Sequence, residues 1–221
     1  MSEKLLYLGG DIMTRGSNLA RQEEYDKFIA EDIPVKVYSP VMNKSINDKS
    51  NMTEEENNCL AEKIVAADVE RLWNSDYTVL CPEQSAIGTM CEMGILYGWQ
   101  YMAKKLLDIR DEIFRETESL ETELIEKKEP GNICQKVQDI RMYEIASAFT
   151  KELKRIANQK NYAHYFDIRT NHLNEKDWRR SFSINQFLYG IILATTADST
   201  LHNSFDEILP ILKEKIKDAR S

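Results

Sequence analysis

Three short apolar runs, each closed by a glycine or proline and each followed by helical text, constrain this chain more than any other feature. Leu5 to Leu8 runs into Gly9-Gly10, Val35 to Tyr38 is closed by Ser39-Pro40, and Tyr77 to Cys81 stops at Pro82. Runs this short, bounded by turn residues, read as buried strands. Between the first two, Ser17 to Ala30 is expected to be helical, with Leu19, Tyr25, Phe28 and Ile29 as its apolar stripe and Arg21, Glu23, Glu24 and Lys27 outside it. Thr53 followed three residues later by Glu56 is the pattern of a capping box, opening a helix expected to reach about Trp73. Gly88-Thr89 opens a further helix after the third strand. Strands that alternate with helices imply a parallel sheet covered on both faces.

The expected fold is therefore α/β: a flavodoxin-like (Rossmann-like) parallel sheet of about five strands with helices on both faces. Ligands of such sheets bind beyond the carboxyl ends of the strands. Three segments converge there: Gly9 to Gly16, Pro40 to Asn51 and Pro82 to Thr89. The pattern then changes. Between about residues 104 and 160 the text is helical and heavily charged, with Ile109, Ile113, Leu120 and Leu124 at helical spacing. Pro130-Gly131 breaks this run, and Ile133, Val137, Ile140, Ala148 and Phe149 begin a second one. This stretch is expected to be a helical hairpin inserted into a single domain spanning residues 1–221, either a solvated helix pair or an oligomer contact. Tyr162 to Ile168 restores strand character, and Ser183 to Leu193 and Phe205 to Lys217 are expected to be helices.

The bulk properties limit the partners. A formal charge of -8 with no offsetting basic block argues against nucleic acid or an anionic membrane surface. No run of 18 apolar residues exists in the sequence, and MSEKLLYLGG lacks the features of a signal peptide. Four cysteines without C-x-x-C spacing, and three histidines with no pair at i,i+4, support neither a disulfide framework nor a zinc site. A reduced, cytoplasmic protein working without a metal or cofactor is the expectation.

The segment after the third strand contains one residue out of keeping with its neighbours. In IGTMCEMGILYG, Glu92 stands among Met, Cys, Ile and Leu in what reads as the first turn of a helix. The partial positive charge of a helix N-terminus favours an ionised carboxylate and is worth about 0.3–1 kcal/mol. That suffices for a structural role. An ionised carboxylate at the ligand end of such a sheet is equally suited to attack an electrophilic sugar carbon. Position alone leaves both readings open.

Further motifs bear on the choice. The first strand ends Tyr7-Leu8-Gly9-Gly10-Asp11; the middle carries Ile64, Asp68, Leu72 and Ser75-Asp76; the phrase G-T-x-x-E-x-G is present as Gly88, Thr89, Glu92 and Gly94. Later come Asp167-Ile168-Arg169 and Ile184-Asn185, with Gly190 five residues on, and the loop SINDKSN carries an Asn-Asp-Lys phrase. Together these resemble the nucleoside 2-deoxyribosyltransferases over about residues 4–103 and 161–218.

The resemblance implies a fold of the kind already expected and a specific chemistry. Glu92 would attack C1′ of a 2′-deoxynucleoside and expel its base, and a second base would then take the deoxyribosyl group with net retention. Asp68 would hold and protonate the departing base, and Tyr7 would hydrogen-bond Glu92. Gly9, Asp11 and Gly88 would border the substrate. Asn185 would reach a neighbouring subunit's site and contact the sugar 5′-hydroxyl, implying a homo-oligomer with sites completed across subunits. The substrates would be deoxynucleosides and nucleobases.

One position departs from the family pattern. Two residues before the Gly-Thr pair many members carry a sugar-binding aspartate, where this chain has Ala86, flanked by Glu83 and Ser85 as possible substitutes. Two other readings thus accompany the transferase. One is an N-glycoside hydrolase on nucleosides or nucleotides, with Arg15, Ser17 and Arg169 as phosphate ligands; the other is a nucleotide-binding module without turnover.

Overall fold

The computed structural model describes residues 4–47, 50, 52–83, 85–125, 133–165 and 184–218. Asp167-Ile168-Arg169, Pro130-Gly131, Asp48, Lys49, Asn51 and Ser183 lie outside the described residues. Five strands form one parallel sheet: β1 (Leu5–Gly10), β2 (Lys36–Tyr38), β3 (Tyr77–Cys81), β4 (Lys160–His164) and β5 (Thr196–His202), in the order β2-β1-β3-β4-β5. This is the order of flavodoxin-like folds, with the switch point beside β1. The expected fold class is thus present.

The helices are α1 (Arg15–Ala30), α2 (Lys44–Asn47), α3 (Glu54–Asn58), α4 (Leu60–Asn74), α5 (Ile87–Ile125), α6 (Ile133–Ala157), α7 (Gln186–Thr195) and α8 (Phe205–Asp218). The capping box at Thr53 and Glu56 forms, but it opens only α3, and Cys59 separates that short helix from α4. Alternation along the strands sorts side chains onto two faces. Leu6 and Leu8 of β1, Tyr77 and Val79 of β3 and Tyr162 of β4 pack with Phe28 of α1 and with Phe205, Ile208 and Leu212 of α8. Tyr7 and Gly9, one residue out of phase, face the opposite side, where α5 brings Glu92.

Helix α1 does not sit as the expected stripe requires. Its buried residues are Ser17, Arg21, Glu24 and Phe28, while Leu19 and Ile29 are exposed. The reason lies in β1: a Cβ on Gly10 would come within 2.4 Å of Arg21 Nη1 and 2.7 Å of its Cδ. The missing side chain makes a seat for a guanidinium, and α1 is turned to use it.

Strand β5 has no counterpart among the sequence expectations. Its text, TADSTLH, places charge in mid-strand, and Ser199 adopts φ 53. Its pairing with β4 shifts from Asn161↔Thr196 to Ala163↔Leu201, so extra residues bulge out between two paired stretches. An edge strand tolerates this because one side needs no partner.

The chain divides into two compact units, Met1–Tyr97 with Gln159–Ser221, and Gly98–Asn158. The first holds the sheet. The second comprises most of α5 and α6; within it Ile109, Ile113, Ala148 and Phe149 are exposed. The side chains of Leu120, Leu124, Ile133, Val137 and Ile140 lie outside the described set. Among the described residues no helix is long and apolar enough to cross a membrane, and Cys59, Cys81 and Cys91 are free thiols.

Candidate active site

The structure brings Tyr7, Asp68 and Glu92 together from three separate elements. Tyr7 projects from β1, and its hydroxyl donates to Glu92 Oε1 at 2.5 Å. Tyr38, at the end of β2, is paired in register with Tyr7. Their rings lie 5.6 Å apart, and the Tyr38 hydroxyl donates to Asp68 Oδ1 at 2.7 Å. Asn43 donates in turn to the Tyr38 hydroxyl at 3.3 Å, and the Arg71 guanidinium stands 5.6 Å from the Tyr38 ring centre. The result is two tyrosine–carboxylate pairs side by side.

Glu92 occupies the second turn of α5, not the first, because the helix begins at Ile87. The electrostatics expected of a first-turn residue do not hold there. Burial pushes the Glu92 carboxyl up to about 7; the Tyr7 hydrogen bond opposes this, and the charge of Asp68 adds to it. Burial likewise raises the Asp68 carboxyl, against the hydrogen bond from Tyr38. Burial, then the neighbouring Glu92 charge, lifts the Tyr7 phenol well above its ordinary range, so Tyr7 remains a hydrogen donor. Tyr38 is pushed up to about 12, chiefly by burial.

Glu92 Oε2 is buried and accepts no hydrogen bond. A carboxylate oxygen sealed from water without a donor carries a free-energy cost, and such an atom calls for a functional or structural reason. Gly9 borders it: a Cβ there would lie 3.2 Å from Oε2, 2.7 Å from Tyr7 Cε1 and 2.9 Å from Leu80 Cδ2. The glycine at the end of β1 is what allows Tyr7 and Glu92 to meet.

The other expected site residues fall elsewhere. Asp11 is buried, its Oδ1 accepting from the Met13 amide at 2.9 Å and its Oδ2 from the Ser85 hydroxyl at 3.0 Å. Burial would raise the Asp11 carboxyl, yet these two bonds, with Ser17 and Arg21 behind them, hold it below its usual value. Asp11 therefore ties two loops of the sheet edge together. Gly88 is exposed, and a Cβ there would meet nothing within 4 Å. Asn185 is the N-cap of α7, its Oδ1 accepting from the amides of Phe187 and Leu188 at 2.9 and 3.2 Å. It makes no hydrogen bond to Tyr7, Asp68 or Glu92 among the described residues.

Ala86 is buried, and its neighbours are engaged elsewhere. Ser85 serves Asp11, while Glu83 accepts from Cys81 Sγ at 3.3 Å and approaches Arg21 Nη2 at 3.9 Å. Ser17, a proposed phosphate ligand, is in a reciprocal capping box with Thr14.

No protein-family model matches the chain, and no curated protein does so. The fold has a counterpart among solved structures. The chain is similar to the crystal structure of a conserved protein from Enterococcus faecalis V583, at 16% identity, with 99% of each chain covered and a TM-score of 0.52. At that identity the likeness speaks to the fold alone.

Tyr38, Asn43 and Arg71 belong to the cluster, although no sequence motif marks them. The signal that points to Tyr38 is the parallel alignment of the ends of β1 and β2. Two aromatic residues in register on one face of neighbouring strands stand beside each other.

Proposed function

We propose that the Tyr7–Glu92 and Tyr38–Asp68 pairs form the active site of an enzyme that transfers the 2-deoxyribosyl group of a 2′-deoxynucleoside to another nucleobase. The observation that carries this reading is Glu92 itself. One of its oxygens is fixed by a tyrosine hydroxyl at 2.5 Å, and the other is buried without a partner. That is the arrangement a carboxylate nucleophile needs: orientation through one oxygen and an unsolvated lone pair on the other.

In this mechanism Glu92 Oε2 forms a bond to C1′ as the C1′–N bond to the base breaks, and the electron pair leaves on the base nitrogen. The base is neutralised by a proton from Asp68, whose raised pKa keeps a fraction of it protonated where an ordinary aspartate would be bare. The absence of a 2′-hydroxyl on the sugar eases the oxocarbenium-like transition state, which the negative carboxylate stabilises before bonding. A second base then attacks C1′ from the original face, expelling Glu92 and returning a proton to Asp68. Two inversions give net retention.

The assembly belongs to the same proposal. The Nδ2 of Asn185 is the donor assigned to the sugar 5′-hydroxyl of a neighbouring subunit, because Oδ1 is committed to the α7 cap. A hydrolytic variant has one observation in its favour: with Ala86 buried and both Ser85 and Glu83 occupied, the position of the family's sugar-binding acid carries no free carboxylate.

The deciding experiment incubates thymidine with adenine, deoxyinosine with adenine, and each donor alone, with Glu92→Ala beside the wild type. New deoxynucleoside that disappears in the variant is the expected result. Free base from donor alone without exchange product establishes the hydrolase instead. Nucleoside binding without any product establishes a binding module and sinks the catalytic reading.

A further inference from the structure

A second set of polar side chains is buried on the face of the sheet opposite Glu92. Arg21, Glu24, Cys81 and His164 meet at the carboxyl ends of β1, β3 and β4, at one side of a cleft of ≈ 610 Å³ that also borders Ser204 and Phe205 at the start of α8. Arg21 Nη2 donates to Glu24 Oε1 at 2.7 Å, with both side chains at least nine-tenths buried. The His164 ring packs edge-on against Phe205 with centroids 6.1 Å apart, and its Nε2 lies 3.4 Å from Glu24 Oε1.

This cluster is left incomplete. Arg21 Nε and Nη1, Glu24 Oε2 and His164 Nε2 are all buried and without hydrogen-bond partners. Unmade bonds to charged groups are the costliest kind to leave in a folded protein, and three neighbouring residues share the deficit here. Cys81 interacts with the guanidinium but does not supply the missing anion: burial pushes its thiol up to about 12, against the pull of Arg21, and leaves it a neutral, weak acceptor.

The orphaned groups define the complement. Arg21 Nε and Nη1 lack acceptors, which calls for an oxyanion; Glu24 Oε2 lacks a donor, which calls for an ammonium or similar group. A simple anion is opposed by the carboxylates of Glu23, Glu24, Glu83 and Asp206, which outnumber the cations Arg21 and Lys27 in the lining. Lys27 is in any case paired with Glu23 at 3.1 Å and Asp206 at 2.9 Å. A simple cation is opposed by the buried guanidinium, which stays charged at any physiological pH. Only a molecule bearing both signs close together satisfies each side.

We infer that this cleft is a binding site for a small zwitterion of the α-amino acid class, its carboxylate taken by Arg21 and its ammonium by Glu24 with Glu83 at the rim. The site lies across the sheet from Glu92 and stands independently of the function proposed above.

Calorimetric titration of the protein with each of the common α-amino acids tests this, with acetate, ethylammonium and inorganic phosphate as single-charge probes. At least one amino acid is expected to bind saturably, at least about tenfold more tightly than any single-charge probe. Glu24→Gln is expected to weaken that binding by about tenfold or more, and Glu83→Gln, at the partly exposed rim where folding is not at stake, by a smaller factor. Glu92→Ala, across the sheet, leaves it unchanged. Binding of no amino acid overturns the inference. So does acetate, phosphate or ethylammonium binding as tightly as the best amino acid, or amino-acid binding unaffected by both Glu24→Gln and Glu83→Gln.

Discussion

Two glutamates stand at the same edge of one sheet, on opposite faces, and each has a buried oxygen without a partner. Their neighbours differ. Glu24 lies 2.7 Å from a buried guanidinium and 3.4 Å from an imidazole, whereas Glu92 has only a phenol at 2.5 Å and the like charge of Asp68 nearby. In the first case the charge is matched by a counter-charge and both ions are held in place. In the second the charge is disfavoured, and the carboxyl is pushed up to about 7. The difference teaches how burial is used: a salt bridge fixes a geometry, while an unmatched carboxylate carries a free-energy cost, which in the proposed reaction the bond to C1′ would relieve.

The largest expected effect breaks the second half of that comparison. Glu92→Gln should lower base exchange by at least about 10³-fold, the scale on which removal of a nucleophile acts. The same substitution should stabilise the fold at high pH. The folded-state value of about 7 exceeds the ordinary 4.5, so between those pH values the native state binds more protons than the unfolded one. Wild-type stability contributed by this group is therefore lost as pH rises through that window, by on the order of 3 kcal/mol at most. Thermal melts should show Glu92→Gln and wild type alike near pH 4.5, with the variant more stable at pH 8. Equal melting temperatures at both pH values would mean that Glu92 is well solvated.

The Arg21–Glu24 pair should behave in the opposite way. Replacing either partner leaves the other buried and unmatched, which costs about 3–5 kcal/mol. Urea denaturation of Glu24→Met should show a loss of this size, and the double replacement Arg21→Met with Glu24→Met should cost much less than the sum. Additive losses would show that the two charges do not depend on each other.

Much of this arrangement was legible in the sequence, but unevenly. β3 stands where its apolar run ends at Pro82, whereas Gly9 and Gly10, expected to end the first strand in a turn, continue β1 and pair with Leu80 and Cys81. Tyr7, Asp68 and Glu92, far apart in the sequence, are gathered by the sheet into one cluster. Helix α1 bears out half of its expected stripe: Phe28 is in the core and Tyr25 packs against it, but Leu19 and Ile29 are exposed, because hydrophobic periodicity assumes that charged residues face water and Arg21 instead occupies space vacated by the side chain that Gly10 lacks. β5 was invisible because an edge strand with a bulge needs neither alternation nor continuous apolar text. The ionisation of Glu92 departs from the helix-end expectation for a physical reason: helix-end fields act over one turn, and burial acts on the whole group.

A smaller perturbation addresses the packing that lets Tyr7 and Glu92 meet. Gly9→Ala introduces a methyl 2.7 Å from Tyr7 Cε1, 2.9 Å from Leu80 Cδ2 and 3.2 Å from Glu92 Oε2. Overpacking of this kind costs about 1–3 kcal/mol, measurable by urea denaturation. Because the ring of Tyr7 must shift, kcat for exchange should fall more than stability alone explains. A variant with wild-type kcat would show that the Tyr7–Glu92 geometry is not critical to the reaction.

The finest test concerns the second tyrosine. Tyr38→Phe removes one hydrogen bond to Asp68 and the acceptor of Asn43, with a stability cost of about 1 kcal/mol. Its diagnostic effect is on ionisation. The Tyr38 hydroxyl lowers the Asp68 carboxyl against the larger upward push of burial, so its removal must raise that carboxyl further. If Asp68 delivers the proton to the departing base, the limb of the exchange pH profile set by Asp68 should move to higher pH in Tyr38→Phe, while the limb set by Glu92 stays where it is. A profile that loses height without moving would leave Tyr38 a packing residue beside Tyr7. One whose Glu92 limb moves instead would show that the two tyrosine–carboxylate pairs titrate as a single unit, and the proton could then no longer be assigned to Asp68 alone.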